Sequence, residues 1–144
     1  MLYYEDIEVG QAFELGSYTV TEEEILDFAR KFDPQPFHID EEAARDSMFG
    51  GLIASGWHTA SICMRLYVDT ILNRSASMGS PGLDQLRWKR PVRPGDTLTG
   101  RFRVIERKPF RQGIGLIKGM AELFNQEHKL VMSFQGQGMF GMKP

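Results

Sequence analysis

Hydrophobic positions follow a helical period in the first half of the chain and a strand period in the second. Residues 11–20 alternate loosely and predict a strand, and the next apolar set has the three- and four-residue spacing of a helix face. This set is Ile25, Phe28, Ala29 and Phe32. Thr21 and Glu24 fit a capping box, so we expect this helix to begin at Thr21 and to end at Asp33, where prolines follow.

A second helical region follows these prolines. Asp40 can cap a short helix over 41–46, and Gly50 and Gly51 end it. From Ser55 to about Leu72 the chain is mostly apolar with many small residues, and a helix that is apolar on nearly every face is a buried one. The pattern therefore predicts a long helix packed on all sides, followed by a polar link over 73–82.

The remainder of the chain is typical of a sheet. Apolar residues recur at period two in several runs, as expected of strands with one covered face. We expect strands at about 83–90, 96–108, 114–125 and 130–140, with a turn over 91–95. A strand, a helical insertion, a long helix and four more strands indicate an α+β fold, in which an antiparallel sheet wraps around the long central helix.

Length and charge narrow the class of protein. The 144 residues fit one domain, 1–144, and the net charge of −2 supplies no basic field, so we expect no nucleic-acid partner. A local cluster could still meet an anionic small ligand: Arg87, Lys89, Arg90 and Arg93. The single Cys63 excludes an intramolecular disulfide, and the three histidines match no metal-ligand spacing, so no metal is expected.

The sequence also carries no sign of membrane targeting. The N-terminus lacks the basic and apolar regions of a signal peptide, and no window approaches the roughly 18 apolar residues of a membrane span. We therefore expect a soluble cytoplasmic protein with no membrane partner.

The strongest candidate for chemistry is the segment Asp33-Pro34-Gln35-Pro36-Phe37-His38-Ile39-Asp40. Each proline pushes the preceding residue toward extended backbone, and we expect the segment to be a stiff, non-helical loop. Such a loop could aim the carboxylate of Asp33 and the imidazole of His38 at one small volume. Acid–base catalysis needs two titratable groups within reach of the same proton or water.

These residues resemble the signature of the MaoC-like dehydratase family, which includes the (R)-specific enoyl-CoA hydratases and has the hotdog fold. The family's Asp-x-Asn-Pro-x-His stands here as residues 33–38, with Gln35 in place of asparagine. Downstream, residues 49–54 lead into Ser55-Gly56, where hydratases often have His-Gly, and Pro91-Val92-x-x-Gly95-Asp96 is similar to the family's strand-turn-strand.

The resemblance implies a hydro-lyase. Asp33 and His38 would hold one water and add it reversibly across an enoyl thioester to give a 3-hydroxyacyl thioester, with the choice of base left open. The Gly56 N–H, at the start of the buried helix, would be the oxyanion donor. Coenzyme A would enter only as part of the substrate, with no other cofactor, and the fold implies a homodimer or a higher homo-oligomer.

Other residues near these positions are candidates for substrate binding: Gln35, Ser55, Trp57 and His58. Each also has a structural interpretation. Gln35 could bond across the loop, Ser55 could be a helix N-cap, and Trp57 and His58 could face a partner subunit. His38 could likewise satisfy a core hydrogen bond, Asp33 could be a turn residue, and Gly56 could be a packing glycine.

Two other functions are consistent with the same fold. A hotdog thioesterase would direct water at the thioester carbonyl, although such enzymes generally place their acidic residue elsewhere. A non-catalytic acyl-binding protein is the other alternative, since the changes at Gln35 and Ser55 leave room for drift.

Overall fold

The computed structural model describes residues 1–144 and consists of one antiparallel sheet with a long helix packed against it. The strands are β1 (Ala12–Thr19), β2 (Gly82–Trp88), β3 (Thr97–Arg111), β4 (Ile114–Phe124) and β5 (Leu130–Gly141). The helices are α1 (Glu22–Phe32), α2 (Pro36–Ile39), α3 (Glu41–Arg45) and α4 (Gly56–Thr70), with 3₁₀ turns at Tyr4–Asp6 and Leu72–Arg74. The strand order β1-β3-β4-β5-β2 around α4 confirms the predicted α+β hotdog fold.

The core lies between α4 and the sheet. On β3, Leu98, Phe102 and Val104 alternate toward the helix and are buried, as the period-two pattern predicted. The Phe102 ring stacks on Tyr67 of α4, with ring centroids 4.8 Å apart. Burying such a set of apolar side chains stabilises the fold by about 25 cal/mol per Å² of apolar surface removed from water.

Helix α4 is covered on one side only, so the prediction of a helix packed all round was wrong. Trp57 and Met64 are 59% and 47% exposed, and they lie on the stripe opposite the buried Ile62 and Leu66. The reason is geometric, because the sheet of a single chain faces only one side of the helix. With its 15 residues α4 is the longest helix, and no helix here combines the length and apolar character needed to span a membrane.

Helix α1 begins and ends where the sequence predicts. The hydroxyl of Thr21 accepts a hydrogen bond from the Glu24 N–H at 3.2 Å, and the Glu24 carboxylate accepts one from the Thr21 N–H at 2.9 Å. This confirms the capping box. The helix ends at Phe32, so that Asp33 leaves it as the C-cap residue.

The segment after Asp33 contains one turn of helix, so the prediction that it is entirely non-helical was wrong. Gln35 is extended, with φ −79° and ψ 147°, as a residue before proline should be. Pro36, however, occupies the first position of α2, where its missing N–H costs nothing and its fixed φ suits a helix. Asp40 then caps α3 by accepting hydrogen bonds from the N–H groups of Glu42 and Ala43, as predicted.

Candidate active site

Backbone hydrogen bonds join three segments into the frame of the site. The Ile53 N–H donates to the Phe37 carbonyl at 3.2 Å, which ties α2 to the segment of chain before α4. The Ala54 N–H donates to the Val92 carbonyl at 2.8 Å, which ties that segment to the turn after β2. Side chains from α2, from the start of α4 and from the end of β2 therefore meet at one place.

His38 lies in this frame with an oxygen atom close to each ring nitrogen. The residue is 5% exposed, its Nδ1 lies 2.8 Å from the Ile53 carbonyl oxygen, and its Nε2 lies 3.3 Å from Oδ2 of Asp33. A carbonyl only accepts hydrogen bonds, so Nδ1 must carry the proton that it donates. In the neutral ring the free lone pair is therefore on Nε2, the nitrogen beside the carboxylate.

Two side chains hold the Asp33 carboxylate by hydrogen bonds, and a third lies beside it. Gln35 Nε2 donates to Oδ1 at 2.7 Å, Ser55 Oγ donates to Oδ2 at 2.7 Å, and His38 lies beside Oδ2. Partial burial alone would raise the pKa of Asp33. The hydrogen bonds from Gln35 and Ser55, helped by His38, outweigh burial and keep this pKa below its ordinary value of 3.8.

Ser55 has a second contact besides the predicted one. Its Oγ accepts a hydrogen bond from the Trp57 N–H at 3.3 Å, which confirms the N-cap interpretation, and the same hydroxyl donates a hydrogen bond to Asp33. The Ser55–Asp33 bond joins residues 22 positions apart. No local sequence pattern signals this pair. Gln35 is exposed, and its side chain donates a hydrogen bond to Asp33 across the loop, as the structural interpretation of Gln35 predicted.

Gly56 is the first residue of α4, and its N–H has no acceptor within the helix. No loop or side-chain acceptor receives this N–H either. A Cβ added at Gly56 would lie 2.5 Å from Cε2 of Trp88, and Trp88 Nε1 donates to the Gly56 carbonyl at 2.8 Å. Only glycine fits under this indole, and no local sequence pattern singles out Trp88, because its contact with Gly56 joins residues 32 positions apart.

Asp33, His38, Gly56 and Trp57 line one cavity of about 460 Å³. Trp88 forms part of the same wall, and two cations, Lys89 and Arg90, lie on the rim. Neither Lys89 nor Arg90 forms a salt bridge.

His58 does not line this cavity, in contrast to its predicted position beside the substrate. Its ring stacks on Phe28 of α1, with centroids 4.9 Å apart and planes 10° apart, and its buried Nδ1 has no hydrogen-bond partner. Burial lowers the pKa of His58, although the nearby Glu24 opposes the shift. The surroundings of His58 are those of a packing residue.

A second, apolar cavity of about 190 Å³ lies further along α4, between the helix and the sheet. Cys63, Met64 and Tyr67 of α4 and Phe134 of β5 contribute to its wall. Burial raises the pKa of the Cys63 thiol to about 12, so this thiol stays protonated at neutral pH. No group of three or more His, Cys, Asp and Glu side chains in the structure could hold a metal ion.

Comparison with known proteins shows that this chain is similar to members of a described family. Residues 6–123 match the model of the MaoC like domain. A crystal structure of a MaoC-like dehydratase from Rhodospirillum rubrum superimposes with a TM-score of 0.92 at 40% identity, over 100% of this chain and 99% of that one. The uncharacterised protein YdeM of Bacillus subtilis is 31% identical over 92% of this chain and 93% of its own length. The (R)-specific enoyl-CoA hydratase of R. rubrum is 35% identical over 67% of this chain and 65% of its own.

Proposed function

This chain belongs to the MaoC-like domain family, and we propose that it is a hydro-lyase that reversibly hydrates an enoyl thioester. One observation carries the proposal. A carboxylate and an imidazole, Asp33 and His38, lie 3.3 Å apart in the same cavity as the unpaired N–H of Gly56 at a helix N-terminus. The similarity to the (R)-specific enoyl-CoA hydratase of R. rubrum supports the same reaction class.

The proposed reaction begins with a water between Asp33 and His38. The ionised carboxylate and Nε2 of the neutral imidazole both accept, so the water donates one O–H to each and presents its oxygen to C3 of the substrate. As the oxygen attacks, Nε2 of His38 takes one proton and negative charge develops on the thioester oxygen. The proton then passes to C2, so that OH ends on C3 and H on C2. The balance needs no metal and no redox cofactor.

We assign the base to His38 and not to Asp33. Hydrogen bonds from Gln35 and Ser55 hold the pKa of Asp33 low, and a carboxylate with a low pKa is a weak base. Its charge instead stabilises the imidazolium that forms at His38. A positioned acid–base group contributes about 10²–10⁴-fold to a rate.

The Gly56 N–H is the proposed oxyanion donor. The N-terminus of α4 carries a partial positive charge, and an N–H without an acceptor costs no rearrangement when the thioester oxygen becomes negative. Loss of one such donor typically costs about 10²–10³ in rate.

Two rim cations support coenzyme A as the carrier. Lys89 and Arg90 border the cavity without an acidic partner and could meet the phosphates of the carrier. A comparison of crotonyl-CoA with crotonyl-pantetheine, which lacks the nucleotide, separates binding of the phosphates from the hydration step.

We expect Lys89→Ala to raise KM for crotonyl-CoA and to leave KM for crotonyl-pantetheine unchanged. Lys108→Ala, which removes an exposed cation of β3 outside this cavity, is the matched control. An equal change for both substrates would contradict this role of Lys89.

The second cavity is the proposed site of the acyl chain. Thr59 lines the first cavity and Cys63 the second, so the two are separated by one turn of α4, about 6 Å along the axis. The wall of the second cavity is almost entirely apolar, as an alkyl chain requires.

The molecule also has the features of one half of a homodimer. β2 pairs only with β5, so its other edge is free, and exposed apolar residues surround that edge. These residues are Trp57, Met64, Leu83 and Trp88. We propose edge-to-edge pairing of two sheets, and light scattering should give twice the 16.4 kDa mass of one chain. A monomer at micromolar concentration would contradict the pairing.

A panel of enoyl-CoA thioesters of graded length and branching tests the proposed function. The expected product is the substrate plus one water, identified by mass, and Asp33→Ala serves as the blank. Release of free coenzyme A without a hydrated product would favour a thioesterase. Binding without turnover of any member would favour an acyl-binding protein.

A further inference from the structure

Two tryptophans meet beside the N-terminus of α4, but their indole N–H groups differ. Trp57 and Trp88 pack edge to face with ring centroids 5.4 Å apart, and both line the site cavity. The indole of Trp88 donates to the Gly56 carbonyl at 2.8 Å, whereas the indole N–H of Trp57 makes no hydrogen bond. The pair therefore offers an internal comparison between an anchored and a free indole in one site.

We propose that Trp88 is a positioning residue that holds the Gly56 N–H in place for the reaction. This inference rests on the proposed function, because it assigns Gly56 as the oxyanion donor. The Trp88 ring packs flush on the Gly56 Cα, and a single added carbon there would come within 2.5–2.8 Å of three ring atoms. With both the Cα and the carbonyl oxygen of Gly56 restrained by one side chain, its N–H has little freedom to turn.

Gly56 needs such an external support. Glycine has the widest conformational freedom of any residue, and the first turn of a helix lacks the hydrogen bonds that hold its middle. The N-cap of α4 does not hold Gly56 itself. The Ser55 hydroxyl accepts a hydrogen bond from the Trp57 N–H at 3.3 Å and donates one to Asp33.

The Trp88 residue that contacts Gly56 is itself held by the sheet. Trp88 is the last residue of β2 and is paired in register with Met132 of β5. The next residue, Lys89, donates its N–H to the Val131 carbonyl at 2.7 Å, so the strand stays anchored beyond the indole. Met132 and Val131 are fully buried. The indole thus transfers the rigidity of the sheet to the first residue of α4.

The alternative role for Trp88 is a wall against which the substrate packs. The two roles differ in what they change: a wall contributes to binding of substrate and transition state alike and acts on KM, whereas an oriented oxyanion donor acts on kcat. Trp88→Phe separates them, because phenylalanine keeps an aromatic ring but lacks the indole N–H. Trp57→Phe is the matched variant, since it removes an indole N–H from the same cavity without affecting the Gly56 carbonyl.

Steady-state hydration of crotonyl-CoA gives the first readout. We expect Trp88→Phe to lower kcat by about tenfold, a part of the 10²–10³ that a whole oxyanion donor contributes, with little change in KM. Trp57→Phe should change KM more than kcat. Thermal unfolding of both variants checks that any loss of kcat is not a loss of folded protein.

Binding of two unreactive ligands gives the second readout. Acetoacetyl-CoA can bind as an enolate with its own ultraviolet absorbance, and butyryl-CoA cannot. Trp88→Phe should lower the enolate fraction of bound acetoacetyl-CoA and leave the affinity for butyryl-CoA unchanged. An unchanged kcat and enolate fraction, or an equal loss of affinity for both ligands, would overturn the inference while the wild type still hydrates its substrate. A wild type that hydrates no thioester would refute the proposed function, and this inference with it.

Discussion

The two buried histidines of this protein have nearly equal exposure and different surroundings. His38 is 5% exposed and His58 is 6% exposed. His38 donates through one nitrogen to the Ile53 carbonyl and places the other beside the Asp33 carboxylate in a cavity. His58 stacks on Phe28, away from that cavity, with a buried nitrogen that bonds to nothing. Burial does not distinguish a candidate catalytic imidazole from a packing one, but its partners and an open cavity do.

The surroundings of the two histidines also differ in charge. At His38 a carboxylate with a lowered pKa stands ready to stabilise an imidazolium. At His58 burial lowers the pKa of the ring, and an unsatisfied buried polar atom costs about 1–3 kcal/mol. A carboxylate therefore lies beside the ring of His38, whereas burial opposes a positive charge on the ring of His58.

Replacement of His38 should give the largest loss of activity. His38→Ala removes the proposed base, and a group of this kind is worth about 10²–10⁴-fold, so kcat for crotonyl-CoA should fall within that range. Thermal unfolding should accompany the assay, since the variant leaves the buried Ile53 carbonyl without its partner. A folded variant with more than a tenth of wild-type kcat would remove His38 from the mechanism.

Asp33→Asn should have the next largest effect on rate and a distinct effect on stability. The amide keeps the size of the carboxylate but cannot stabilise an imidazolium, so kcat should fall by about 10² or more. Because the pKa of Asp33 is lower in the folded than in the unfolded chain, its ionised form stabilises the fold above about pH 3.8. This contribution is lost as pH falls through the folded-state pKa.

Denaturant unfolding between neutral and acid pH measures this stability effect. The free energy of unfolding of Asp33→Asn should depend less on pH in the acid range than that of the wild type. Parallel curves would mean that the hydrogen bonds from Gln35 and Ser55 do not favour the ionised carboxylate.

Ser55→Ala should have a smaller effect, confined to the site that contains Asp33 and His38. It removes one hydrogen bond to the carboxylate and the N-cap of α4, and caps are worth about 1 kcal/mol. We expect kcat to fall about tenfold, because a hydrogen bond to a charged group contributes about 1.5 kcal/mol and about 1.4 kcal/mol corresponds to a factor of ten in rate. Ser61→Ala, on the exposed stripe of α4, is the matched control and should leave both stability and kcat near wild type.

His58→Phe should have the smallest effect on activity. Phenylalanine can keep the stack on Phe28 and removes the unsatisfied Nδ1. Because burial lowers the pKa of His58, the unfolded chain binds more protons below about pH 6.5, and the wild type loses stability as pH falls from there through the folded-state pKa. The variant should lose less stability over that interval in denaturant titrations. A large loss of kcat would instead place His58 in the reaction.

Local sequence patterns predicted the elements of the fold because their causes are local. The capping box of Thr21 and Glu24 and the alternation of Leu98, Phe102 and Val104 depend on residues a few positions apart. The one-turn helix α2 escaped prediction because Pro36 is disfavoured inside a helix yet suited to its first position.

The site was predictable only where its residues are close in sequence. Asp33 and His38 share one segment, so their approach could be expected. The bonds from Ser55 to Asp33 and from Trp88 to Gly56 join residues 22 and 32 positions apart, and tertiary packing alone creates them. Likewise, nothing in the sequence around His58 indicates that its ring turns toward Phe28 and away from the cavity.

The most direct test of the account is one assay of crotonyl-CoA with wild type, His38→Ala and His58→Phe in parallel, following enoyl absorbance and free thiol together. The account predicts that wild type and His58→Phe remove the enoyl absorbance without releasing thiol, and that His38→Ala does neither at a comparable rate. Thiol release by the wild type, or loss of activity in His58→Phe but not in His38→Ala, would contradict it.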